Sequence, residues 1–257
     1  LDQLEQAARR GEVAGLPGMG KTLQDNVLEF FRRQNGEPER FHRGVALPLA
    51  GQLHAFLEQL PSVLFNSPAG EVRRGTETAA EVVIAVSLKD QPREALAKLL
   101  LKVPGVASLE PVDGGFYLST LVGMPVRIMI CSAEDYPTCL AGLTGSTAHW
   151  EQLQAYAAQA GFQLSGGALM KNGRRVDLHE EEGLYRALGL PFIPPELREG
   201  RGELKAAAAG KLPRLVELSQ IRGDLHLHSR WSDGTASIEE IHAAAGQMGY
   251  EYIAVTD

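Results

Sequence analysis

Residues 69–87 read AGEVRRGTETAAEVVIAVS. Gly70 and the arginine pair Arg73-Arg74 lead into EVVIAVS, a short apolar run rich in β-branched residues, which reads as a buried strand. Glu81 and Val83 stand two apart along that run and so project to one face. Downstream, VRIMIC at 126–131 is a second apolar strand, LTGSTAHW at 143–150 carries a glycine-serine turn, and LYRALGLPFIPPELREGRGE occupies 184–203.

Composition sets the outer limits. Of 257 residues, 44% are hydrophobic and 22% charged, an ordinary globular balance with room for about two domains that excludes a disordered chain. No run of apolar residues is long enough to cross a bilayer, and the charged opening LDQLEQAARRGEV lacks the apolar core of a signal peptide. The expected compartment is the cytoplasm, with no membrane partner. The net charge of −7 weighs against a broad basic surface for nucleic acid, so any phosphate contact must come from local geometry. Cys131 and Cys139 show no metal-binding spacing and are expected to be reduced packing residues. Leu1 already lies in a helical pattern and Asp257 ends a strand, so the chain is expected to be cut at both ends.

Residues 2–12 and Lys21 to Arg33 carry helical spacing around the turn Leu16-Pro17-Gly18-Met19-Gly20, which needs glycine's tolerance of positive φ. A turn before a helix start exposes backbone N–H groups able to hold a phosphate oxygen, and Lys21 adds a charge. Gly18, Gly20 and Lys21 are thus candidate DNA-backbone contacts. The alternative is a plain helical hairpin in which the glycines only make a corner.

Taken in order, the helical hairpin, the 69–87 segment, VRIMIC, the TGS segment and the PFIPPELREGRGE block resemble the bacterial family X DNA polymerases along essentially the whole chain. The resemblance implies a helix-hairpin-helix unit followed by a mixed-sheet nucleotidyltransferase palm. It also implies two Mg²⁺ or Mn²⁺ ions held by three aspartates, with gapped or primer-template DNA and a deoxynucleotide as partners. Gly70, Arg74, Gly145 and Ser146 match the family's nucleotide-holding positions. Glu81 stands at the first metal position, Val83 at the second and Arg127 at the third. One carboxylate beside a guanidinium cannot hold two divalent ions. If the two strands are adjacent, Glu81 and Arg127 should form an ion pair where the metals would have met. The nucleotide pocket departs further: Glu71 replaces a serine, Ala79 and Ala80 replace phosphate contacts, and the stacking aromatic is missing from Gly166 to Met170.

IRGDLHLHSRWSDG at 221–234 places His226 and His228 two apart on a strand, with Asp233 in the following turn. That spacing suits Zn²⁺ or Mn²⁺, and two core histidines are the alternative. With a helix from Ile238 to Met248 and a closing strand, the string resembles the opening of a PHP domain, which the family carries as a 3′–5′ exonuclease. The expected organisation is multidomain α+β. A helix-hairpin-helix unit spans 1–43, a palm with its C-terminal lobe 44–203, a linker 204–217, and the first βα unit of a PHP-type barrel 218–257. The expected function is a DNA-binding repair protein of family X type, capable of gap-filling nucleotidyl transfer by resemblance. The alternative is a non-catalytic module that positions DNA for the nuclease.

Overall fold

The computed structural model describes residues 2–16, 18–34, 38–89 and 93–257. Near the start, α1 (Asp2–Arg9) and α2 (Lys21–Gln34) flank a 3-10 turn at Val13–Gly15. The first helix is shorter than the expected 2–12, because the chain tightens into that turn, where the Leu16 N–H donates to the Val13 carbonyl at 3.2 Å. Ala8, Val13 and Phe31 are buried, and Gln24 Oε1 accepts the Ala14 N–H at 3.0 Å. Gly18 has the expected positive φ of 79° and Gly20 does not. Pro17 of the expected turn lies outside the described residues.

There follow β1 (Phe41–His42), α3 (Arg43–Glu58), β2 (Val63–Ala69), α4 (Gly70–Arg74), β3 (Thr78–Ala79), β4 (Val82–Leu88), α5 (Arg93–Leu100), β5 (Val106–Val112), β6 (Gly115–Thr120) and β7 (Val126–Cys131). Five of these strands form one sheet in the order β2-β4-β7-β6-β5. β4 and β7 run parallel and every other neighbour antiparallel, so the sheet is mixed, as expected. Ile84, Val86 and Ile128 pack with Leu53 and Leu57 of α3 on one face. Val83 and Ala85 point to the other, against Ala69 and Leu140. Burial on both faces explains why EVVIAVS shows no alternation of polar and apolar residues. At Gly115 the neighbouring strand passes so close that a Cβ would stand 1.8 Å from the Ile128 carbonyl oxygen.

The next elements are α6 (Tyr136–Thr144), α7 (Thr147–Gln159), β8 (Phe162–Leu164), β9 (Leu169–Lys171), β10 (Arg174–Arg175), α8 (Glu181–Ala187) and α9 (Glu203–Ala208). They enclose a second core that includes Leu153, Leu169, Leu184, Tyr185 and Ile193. Ser146 caps α7, its Oγ accepting the His149 N–H at 3.3 Å. Two expectations need correction. The stretch 204–217 is not simply a connector, since Leu204 and Ala207 of α9 are buried in this second core. Cys131 and Cys139 are joined as a disulfide rather than reduced. The chain turns back between the end of β7 and the first turn of α6, bringing the two Cα atoms to 6.6 Å, within disulfide reach.

Contacts divide the chain into a unit ending at Leu212 and a second one from Pro213 to Asp257. In the second, β11 (Gly223–Leu227) and β12 (Tyr252–Val255) pair in parallel through α10 (Ile238–Gln247), making one βαβ unit. A capping box starts α10: Ser237 Oγ accepts the Glu240 N–H, and Glu240 Oε2 accepts the Ser237 N–H. Among the described residues, no helix is long and apolar enough to cross a membrane.

Candidate functional site

The register of the central strands sets the geometry. Val83 lies directly across from Arg127, and Glu81, two residues before Val83, shares their face. The Val82 N–H donates to the Pro125 carbonyl at 2.9 Å, which holds the two strand starts together. Arg127 Nη2 then donates to Glu81 Oε1 at 2.5 Å. The ion pair expected from the two substitutions is present, at the position where the resemblance puts metal carboxylates. Val83 is 3% exposed, and a Cβ at Gly70 (φ 60°) would stand 3.2 Å from its Cγ2. Val83, which the resemblance matches to the second metal position, is therefore apolar and tightly packed.

These residues do not fit a pair of divalent cations. The one carboxylate is bonded to a cation that cannot deprotonate, and valine offers no donor. Among the described residues, no group of three or more His, Cys, Asp or Glu side chains is arranged to hold a metal ion.

Gly70, Arg74, Gly145 and Ser146, expected as nucleotide-holding residues, come together in the wall of a single open cavity of about 830 Å³, together with Glu71, Glu81, Arg127 and Trp150. Much of their hydrogen-bonding capacity is already used. Arg74 donates from Nε to Glu199 Oε1 at 2.8 Å and from Nη1 to the Thr144 carbonyl at 2.6 Å. Glu71, the serine replacement, accepts from Arg40 Nη2 at 2.5 Å and from the Ala80 N–H at 2.9 Å. Glycine at 166 and 167 leaves the expected stacking position without an aromatic ring.

Sequence reading missed the charged scaffold behind this wall. Arg73 forks onto both Glu181 oxygens at 3.1 and 2.6 Å, and Arg198 Nη1 reaches Glu181 Oε1 at 2.5 Å. Burial pushes the Glu181 carboxyl up, but the two guanidiniums outweigh it and hold it below the usual glutamate range. Arg198 is fully buried, its guanidinium 5.0 Å from the Tyr185 ring and 5.1 Å from the Phe192 ring. His149 sits between Glu203 (Nδ1 to Oε1, 2.7 Å) and Tyr185 (Nε2 to Oη, 3.1 Å). Burial pushes its pKa down despite the carboxylate. The available signal was the density of charge in LREGRGE next to an apolar block.

Of the expected DNA contacts, Lys21 is the first residue of α2 and exposed, and Gly18 and Gly20 have open space where a Cβ would be. In the second unit, the imidazoles of His226 and His228 are stacked, with Nε2 atoms 3.0 Å apart. Asp233 does not join them: its Oδ1 meets His228 Nδ1, on the other side of the ring, at 2.5 Å. Such a carboxylate orients an imidazole so that Nε2 faces a ligand. In this arrangement the two Nε2 atoms face each other and Asp233 lies behind His228, so the three expected ligands are neighbours but do not converge on one point.

A mixed five-stranded sheet with its central strands parallel, followed by a helical lobe, is compatible with a polymerase beta-like fold. Residues 139–199 match the family model of the DNA polymerase beta thumb. Along its whole length the chain is 33% identical, over 262 aligned positions, to the DNA polymerase/3′-5′ exonuclease PolX of Bacillus subtilis (strain 168). The chain belongs to the bacterial family X DNA polymerases. It spans about half the length of that relative, 45%.

Proposed function

We propose that this chain is the DNA-binding part of a family X repair protein whose palm no longer transfers nucleotides. It positions gapped or primer-template DNA for a PHP-class 3′–5′ exonuclease, whose opening is the βαβ unit. The Glu81–Arg127 ion pair carries this reading, because it fills the place of the metals that nucleotidyl transfer needs. The family relation supports the DNA-binding role, and the exposed start of α2 at Lys21 supplies a sequence-independent grip on backbone phosphate. In the second unit His226 and His228 would hold the ion and Asp233 would orient His228. Such an ion activates water for phosphodiester hydrolysis. The reading places the protein in the cytoplasm.

Primer extension and binding on the same gapped duplex test the reading. No extension is expected with Mg²⁺ or Mn²⁺, while binding persists and weakens with rising salt. Metal-dependent extension that disappears in Glu81→Gln would overturn it.

A further inference from the structure

The palm holds an open cavity of about 830 Å³, and the two carboxylates in its wall, Glu71 and Glu81, are each bonded to an arginine. Two observations bear on what it can take. The first is the donor set of Arg127. Its Nη2 serves Glu81, but its Nε is buried without a hydrogen-bond partner among the described residues, and the side chain is 40% exposed toward the cavity it lines. That Nε is out of a ligand's reach, but a guanidinium has five N–H donors, and Nη1, which is not buried and makes no hydrogen bond among the described residues, is open to an anionic oxygen. The second is the local charge. Arg40, Arg74 and Arg127 are matched one for one by Glu71, Glu199 and Glu81. A triphosphate without metals would bring about four negative charges toward two carboxylates in the same wall, which this balance cannot offset. A single phosphate group brings one or two, and Arg127 can answer it.

We propose that the palm cavity is a metal-independent seat for a single phosphate group on a nucleotide or DNA end, with Arg127 as the fixed cation in place of the divalent ions. The seat rests on the reading that the palm has lost its metal chemistry, but it does not depend on the helical hairpin gripping DNA. Arg127 donates to the phosphate oxygens through Nη1, which Glu81 leaves unused. Glu81 keeps the guanidinium in place and therefore acts as a positioning residue.

Titration calorimetry on the full chain tests this, with dAMP, deoxyadenosine and dATP as probes, each in EDTA and in Mg²⁺. The expected result is binding of dAMP in EDTA that changes less than about twofold on adding Mg²⁺, and weaker binding of dATP and deoxyadenosine. Arg127→Gln should weaken dAMP about tenfold, the loss of one charged hydrogen-bonding partner. Arg127→Lys keeps the charge and, with thermal melting of both variants, separates lost binding from lost folding. Competition by a 5′-phosphorylated oligonucleotide, but not its unphosphorylated twin, would assign the phosphate to a DNA end; competition by neither would assign it to a free nucleotide. Three results would each overturn the seat: equal binding of dAMP and deoxyadenosine, no dAMP binding by a folded chain, or dATP binding that Mg²⁺ tightens at least tenfold. Should extension of gapped DNA also be absent, the loss of metal chemistry would stand even where the seat fails.

Discussion

Removing the Arg127 side chain should free the Glu81 carboxylate at little cost to folding. Both side chains are partly exposed, at 40% and 30%, so Arg127→Ala is expected to lower unfolding free energy by about 1 kcal/mol or less in urea. Glu181 differs. It is the shared partner of Arg73 and the fully buried Arg198, and Glu181→Gln leaves a buried guanidinium without its counter-charge. A loss of about 3–5 kcal/mol is expected by the same measurement. His149 gives the chain a pH dependence. Burial lowers its folded pKa, so the unfolded histidine takes a proton that the folded one refuses. That stability is complete above the unfolded value of about 6.5 and is lost as pH falls below it toward the folded value. Urea midpoints at about pH 7.5 and about pH 5.5 should diverge in the native chain and converge in His149→Asn. The Glu81–Arg127 pair was legible in the sequence because both residues sit on apolar strands that the family places side by side. The Arg73–Glu181–Arg198 cluster was not, because Arg73 reaches Glu181 across 108 positions and no local pattern records such a meeting.

At the scale of elements, helical spacing located α2 and α10, alternation located β12, and unbroken apolar runs located β4 and β7, each to within a few residues. Such patterns failed elsewhere. The alanines of 206–209 looked like a connector because a short alanine run carries no polar side to mark an inner face. The disulfide was hidden because the reversal of chain direction between β7 and α6, not the spacing of cysteines, makes the partners meet. Gly115→Ala tests the closest strand approach in the sheet: the new methyl would collide with the Ile128 carbonyl, and a loss on the order of 3 kcal/mol should appear in thermal or urea melts. For the helical hairpin, Lys21→Gln should weaken DNA binding about equally on unrelated sequences and reduce the salt slope by about one. An unchanged slope would leave that hairpin as scaffolding.

Across the whole molecule, the chain passes from the first unit to the second between Leu212 and Pro213, and Lys211 and Arg214 on either side of that point are exposed. Brief trypsin treatment is expected to cut there first and leave a stable N-terminal product, identifiable by mass; initial cuts inside the sheet would contradict the division. The family was readable because motifs are local strings. The proposed loss of metal chemistry was readable because an absent residue type, such as an aspartate, is itself a signal. On that reading Val83 makes the change hard to undo. It is packed against Ala69 and Leu140 and is 3% exposed. An aspartate arriving there alone would set a carboxylate into that apolar packing, across from Arg127 and its partner Glu81. One arriving at 127 alone would leave two acids facing each other with no cation. Neither change alone supplies the several anionic oxygens that a pair of divalent ions needs, so on the proposed reading a metal seat could return only through both substitutions together.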